Sequence, residues 1–136
     1  MKIPACRWLA GSMIAAATFA LPAWALMPAE PAQQTRAQAL FGDVNPKLAE
    51  LTDNVLFGDI WRRPGLSPRD RSLVTVAALV AMDRPVQLRS HLQRARDNGL
   101  SEAELIEAIT HLAFYAGWPS GVAASVVAKE VFQQKK

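Results

Sequence analysis

Helix-start signals follow one another from residue 45 to residue 119 with little chain left between them for strands. Asn45-Pro46 sets a capping side chain before a proline at the first helical position, and the helix it opens is expected to run to about Phe57. Ser67-Pro68-Arg69-Asp70 repeats that arrangement with an acid at the third helical position. The segment that follows, Leu73 to Met82, is apolar on nearly every side, so as a helix it should be surrounded by protein. Its valines leave a strand as the alternative, although the start signal and the length favour a helix. Pro85 opens the next helix, to about Asn98, where Gly99 supplies the permissive backbone that ends it. Ser101-Glu102-Ala103-Glu104 has the form of a capping box for a helix to about Ala116. Gly117-Trp118-Pro119 breaks that helix, and a last one is expected from Pro119 to about Phe132. It carries Gly121, Ala123, Ala124, Ser125 and Ala128, small residues that let a neighbouring helix approach closely. The expected fold class is all-α, with about five to six helices.

The first 25 residues read as an export signal. Lys2 and Arg7 give a positive start, Trp8 to Ala20 is an uncharged and largely apolar run, and Ala23-Trp24-Ala25 puts small residues where a signal peptidase reads. That run is shorter than the roughly 20 residues needed to span a bilayer, so cleavage is expected in place of a stable membrane anchor. The location expected from it is periplasmic or secreted. Cleavage would remove Cys6, the only cysteine, and with it any disulfide, thiolate nucleophile or sulfur ligand. It would also remove two of the 15 Lys and Arg residues, leaving 13 against 12 acids. The sequence pI of 9.4 therefore overstates the basicity of the mature chain, and no clustered basic stripe points to nucleic acid. Residues 26–39, with Pro28 and Pro31, are expected as a flexible lead-in, and 40–136 as a single domain.

Several motifs fall together in the helical block: Trp61-Arg62-Arg63-Pro64-Gly65-Leu66-Ser67, Arg71-Ser72-Leu73-Val74, Leu88 with His91, Asn98-Gly99-Leu100-Ser101, Glu107, and His111 followed by Tyr115-Ala116-Gly117-Trp118-Pro119. Taken together over about residues 40 to 133, they resemble the carboxymuconolactone decarboxylase family. The resemblance implies an alkyl-hydroperoxidase-D-like helical bundle assembled as homo-oligomers, trimers or hexamers. The family's thiol-peroxidase branch carries Cys-x-x-Cys-x-x-x-His. Aligning that histidine on His91 puts Arg84 and Gln87 at the cysteine positions and Ser72 near the place of an assisting glutamate. Peroxidase chemistry of that kind needs one oxidisable sulfur and one that resolves it, so it is expected only as a family-level label. The decarboxylase branch is the better match.

That branch implies loss of carbon dioxide from 4-carboxymuconolactone to give the 3-oxoadipate enol-lactone, with no cofactor required in principle. The protein must bind carboxylates, stabilise a dienolate-like oxyanion and return one proton. His91, bordered by Leu88, Leu92 and Ala95, is the first candidate for the proton; a partly buried ring bonded to a backbone carbonyl is the alternative. Glu107 and His111, four residues apart, should meet on one helix face pointing away from the Leu105, Ile109, Leu112 and Ala116 seam. They are either a second catalytic pair or an ordinary surface pair. Arg71, in the first turn of the apolar helix, is the candidate for a substrate carboxylate, with Ser72 beside it in the motif. Trp61, Tyr115 and Trp118 complete the expected substrate-binding set, against the alternative that large aromatics belong to the core. Glu107, His111 and His91 carry three donor groups of the kind a metal takes, but no His-Glu-x-x-His motif accompanies them, and no metal is expected. The competing function is a non-catalytic helical oligomer that binds a small ligand or an envelope partner.

Overall fold

A computed structural model of the chain describes residues 33–134. The expected export signal, residues 26–32 of the lead-in, and Lys135 and Lys136 lie outside the described residues. Those described are all-helical: α1 (Arg36–Phe41), α2 (Pro46–Leu51), α3 (Pro68–Ala81), α4 (Pro85–Asp97), α5 (Glu102–Ala116) and α6 (Trp118–Gln133). Between α2 and α3 run a π-helical segment, Thr52–Phe57, and a 3₁₀ turn, Ile60–Arg62.

The caps act where the sequence puts them. Asn45, Ser67 and Ser101 each accept the backbone N–H three residues on, satisfying donors that the first helical turn leaves without an intrahelical partner. Ser101 and Glu104 close a full capping box. A second capping box, Thr35 with Gln38, starts α1 inside the stretch expected as lead-in, which corrects that expectation from residue 36 onward. Gly99 and Gly117 take positive φ angles of 94° and 97°, conformations that a side chain would strain.

Helices α3 to α6 form the bundle. Both α4 and α5 pack against α3 and α6, which sets α4 and α5 at opposite corners. Val76, Val80, Leu88, Leu92 and Leu105 fill the centre with essentially no exposure. Where α5 crosses α6, an added Cβ on Gly121 would come within 2.7 Å of the Ala113 Cβ, so the small residue is what lets these helices touch. The helical reading of Leu73 to Met82 holds, but full enclosure does not: Val74 is 59% and Met82 53% exposed. Helix α3 has neighbours on only part of its circumference within one chain, and the rest stays open. No helix among the described residues is long and apolar enough to cross a membrane.

Ser72 is the buried polar residue at the α3–α4 junction. Its hydroxyl donates to the Pro68 carbonyl at 2.9 Å and accepts from the Asn98 side-chain amide at 2.8 Å, joining the start of α3 to the end of α4. That pairing satisfies a polar atom the core would otherwise leave stranded.

Candidate active site

His91 sits where α4 meets the chain between α2 and α3. Leu88, Leu92 and Ala95 turn into the core, and His91, one position off that seam, is half-buried. Its ring lies 5.9 Å from the Trp61 ring, and Trp61 in turn packs 5.7 Å from Phe57, so an aromatic pair begins at the imidazole. The π-helical segment ends at Phe57 and the 3₁₀ turn holds Trp61, so this irregular stretch supplies the pair. Three residues beyond His91, and on the same helix face, the Arg94 guanidinium lies 4.3 Å from the Phe57 ring centre and 5.2 Å from that of Trp61.

The His91 Nδ1 is buried and meets no hydrogen-bond partner among the described residues. The alternative of a ring pinned through that atom to a backbone carbonyl is therefore not what this structure contains. Burial, and after it the charges of Arg94 and then Arg36, hold the imidazole below its ordinary value, which makes the ring neutral near pH 7. Burial and the charge of Arg36 likewise pull Arg94 down, with Asp97 opposing them. One neutral, partly desolvated imidazole thus stands against the Trp61 ring, with the charges of Arg94 and Arg36 acting on it.

Arg71 is differently engaged. Its Nη2 donates to the Arg63 carbonyl at 2.9 Å, fastening the loop after Trp61 to the start of α3, while its Nε is buried without a partner. The cation whose charge acts on His91 is Arg94, together with Arg36, and neither was singled out by sequence. A signal for Arg94 existed in its three-residue spacing from His91. Ser72, expected beside the substrate, is 1% exposed with its hydroxyl committed to Pro68 and Asn98.

Glu107 and His111 are both exposed on α5, pointing away from the core as their spacing required. The ring contact of His111 is Tyr115, at 4.8 Å. Phe114 and Tyr115 are each 78% exposed and Trp118 is 67% exposed, so the aromatic part of this helix pair faces outward. Because α4 and α5 stand at opposite corners, His91 and the Glu107/His111 pair belong to separate surroundings within one chain. Of the expected residues, the fold gathers His91 and Trp61 at one place, and Glu107, His111 and Tyr115 along another helix. No group of three or more His, Cys, Asp or Glu residues placed to hold a metal ion occurs among the described residues.

Comparison with known proteins gives consistent relatives. The profile of the carboxymuconolactone decarboxylase family matches residues 46–130. A 4-carboxymuconolactone decarboxylase of Acinetobacter baylyi is 42% identical over 91 residues, which are 67% of this chain and 68% of that protein. The nitrosuccinic acid decarboxylase npaB of Metarhizium robertsii is 36% identical over 81 residues, 60% of this chain and 57% of that protein. Phe57, Trp61, His91 and Arg94 fall inside the matched span, and Arg36 lies before it.

Proposed function

The chain belongs to the carboxymuconolactone decarboxylase family, and on that footing we propose that it is a cofactor-free decarboxylase-like lyase acting on a small carboxylated lactone or related acid. Chemistry of the 4-carboxymuconolactone type is the leading case. The observation that carries this reading is His91: a half-buried imidazole with an unpartnered buried nitrogen, set against Trp61 and under the charges of Arg94 and Arg36.

The acids named for the two relatives share a chemical logic. Each has a carboxylate on a carbon whose electron pair can pass into an acceptor, a conjugated lactone in one and a nitro group in the other. In the lactone the bond between ring carbon and carboxylate breaks, carbon dioxide leaves, and the electron pair becomes a dienolate. One proton then returns to carbon, and no electron acceptor outside the substrate is required. His91 is assigned that proton. In the open site burial and the arginines keep the ring neutral. An anionic substrate offsets those positive charges, so its binding draws a proton onto the imidazole, which then delivers it.

The direct experiment incubates the protein with 4-carboxymuconolactone and follows carbon dioxide release with formation of the enol-lactone. Turnover is expected; failure with this lactone and with nitrosuccinate would remove the enzymatic reading and leave the non-catalytic binding oligomer.

Homo-oligomeric assembly, as a trimer or hexamer, is part of the same proposal. It is supported by the outward-facing Phe114, Tyr115 and Trp118 and the open side of α3 at Val74 and Met82. In that assembly a neighbouring subunit covers Glu107 and His111, and their catalytic role belongs to the assembled form alone. Sedimentation of a monomer at working concentration would contradict it. Export is proposed from residues 1–25, and the mass of the periplasmic chain, expected to begin at Leu26, checks it.

A further inference from the structure

We infer that Arg71 is a positioning residue of the active site: its guanidinium fixes the course of the chain after Trp61 and, through it, the place of the indole against His91. The inference rests on the role given to His91 in the proposed decarboxylation, while the anchoring itself rests on hydrogen bonds and burial.

The short stretch that carries Trp61 is held at its two ends by different means. Upstream, the Asp59 N–H donates to the Val55 carbonyl at 3.0 Å and the Arg62 N–H to the Asp59 carbonyl at 2.9 Å, which ties the 3₁₀ turn to the π-helical segment. Downstream, Arg63 to Leu66 are all exposed, and among the described residues no backbone-to-backbone hydrogen bond joins them to the bundle. Arg71 makes the link instead. Its Nη2 donates to the Arg63 carbonyl at 2.9 Å and, more weakly, to the Leu66 carbonyl at 3.5 Å, so one charged donor spans the whole loop. The Arg63 guanidinium pairs with Asp59 at 2.7 Å, but both side chains are exposed and the pair stays within the loop, where a solvated contact contributes little.

Arg71 is itself firmly seated. It lies in the first turn of α3, with its N–H on the Ser67 carbonyl at 2.9 Å and its own carbonyl accepting the Thr75 hydroxyl at 2.8 Å. The Nε and Nη2 donors of an arginine form one of the edges on which a carboxylate is held in pairs. In Arg71 the Nη2 is taken by the loop and the Nε is buried without a partner. That edge belongs to the chain, and a carboxylate could use it only by displacing the loop. The effect of Arg71 on chemistry therefore passes through Trp61, whose ring lies 5.9 Å from that of His91. Releasing the loop lets the indole drift and admits water to the imidazole. Misplacement by about 1 Å in an active site costs on the order of a hundredfold in rate.

The test combines nuclear magnetic resonance on the free protein with a double-mutant cycle in turnover. In Arg71→Gln the Trp61 indole N–H resonance should shift and broaden. The His91 titration should move upward, since its depression comes first from burial. On 4-carboxymuconolactone, Arg71→Gln should lower kcat by roughly tenfold to a hundredfold with KM nearly unchanged. Trp61→Leu should show a similar loss, and adding Arg71→Gln to it should cost almost nothing more, because two residues that act through one another are not additive. Arg63→Ala keeps the carbonyl that Arg71 holds and should match wild type in both resonances and in kcat. Arg71→Lys keeps the charge on one compact ammonium and should lie between wild type and Arg71→Gln, so the comparison survives if the glutamine variant does not fold. Unmoved Trp61 and His91 resonances in the Arg71 variants overturn the inference, whatever the turnover. So do losses that multiply in the double mutant, which would put Arg71 on the substrate, and an Arg63→Ala loss as large as that of Arg71→Gln. Displaced resonances in a protein that turns over neither the lactone nor nitrosuccinate would uphold the anchoring and sink the decarboxylase reading alone.

Discussion

Replacing His91 by alanine is expected to lower kcat on 4-carboxymuconolactone by roughly 10²–10⁴-fold, the usual contribution of one positioned acid or base. The expectation follows from what surrounds the ring. Trp61 stands 5.9 Å away on one side, Leu88 and Leu92 on either side of it in the helix are buried, and Nδ1 is sealed from solvent without a partner. A buried nitrogen without a hydrogen bond costs free energy, which a ligand or a moving proton can offset. His91→Gln is the sharper variant, since an amide preserves a hydrogen-bond donor yet cannot shuttle a proton near neutral pH. Both variants should keep a normal helical spectrum. Full kcat in His91→Gln would remove the proton-transfer role assigned to this residue.

Leu92→Ala, one position along the same helix, is expected to act on stability instead. Leu92 has no exposure and belongs to the cluster that includes Val76, Leu88 and Leu105. Truncation removes its buried methyl groups and leaves a cavity that helices tied on several sides cannot close, a loss of about 2–5 kcal/mol. Folded domains of this size hold about 5–15 kcal/mol in total, so the variant should unfold at a much lower urea concentration. At low temperature, where it remains folded, its kcat should stay close to wild type. An unchanged urea midpoint would mean that the α3–α6 core is not packed as described. Neighbouring residues one helical step apart thus separate chemistry from support.

Much of the bundle was legible because helix starts are local events. Asn45, Ser67 and Ser101 find their backbone partners within three residues, so short words of sequence suffice to mark three of the starts. Thr35 and Gln38 obey the same rule, and α1 was missed only because the surrounding prolines and glutamines suggested a lead-in. The π-helical course of Thr52–Phe57 has no comparable signal, since it depends on how that segment lies against the bundle. Arg94 was hidden for the same reason: its partner Phe57 is far away in sequence, and spacing alone cannot say what an α4 residue faces. Ser72 shows the opposite limit. A motif placed it beside the substrate, whereas its hydrogen bonds to Pro68 and Asn98 assign it to holding α3 against α4. The apolar run of α3 predicted enclosure on all sides because composition counts neighbours without knowing which chain supplies them, and Val74 and Met82 remain open within one chain.

The most direct test of His91 as the proton carrier is the pH dependence of kcat/KM and kcat for 4-carboxymuconolactone in wild type and in His91→Ala. The first parameter reports the free protein and the second the complex. Burial, Arg94 and Arg36 depress the imidazole in the free protein, and a bound anion relieves part of that depression. Both wild-type parameters should therefore fall toward alkaline pH, with kcat/KM falling at a lower pH than kcat, and the residual activity of His91→Ala should lack both limbs. The same two limbs persisting in His91→Ala, or wild-type rates flat across the imidazole range, would contradict the account.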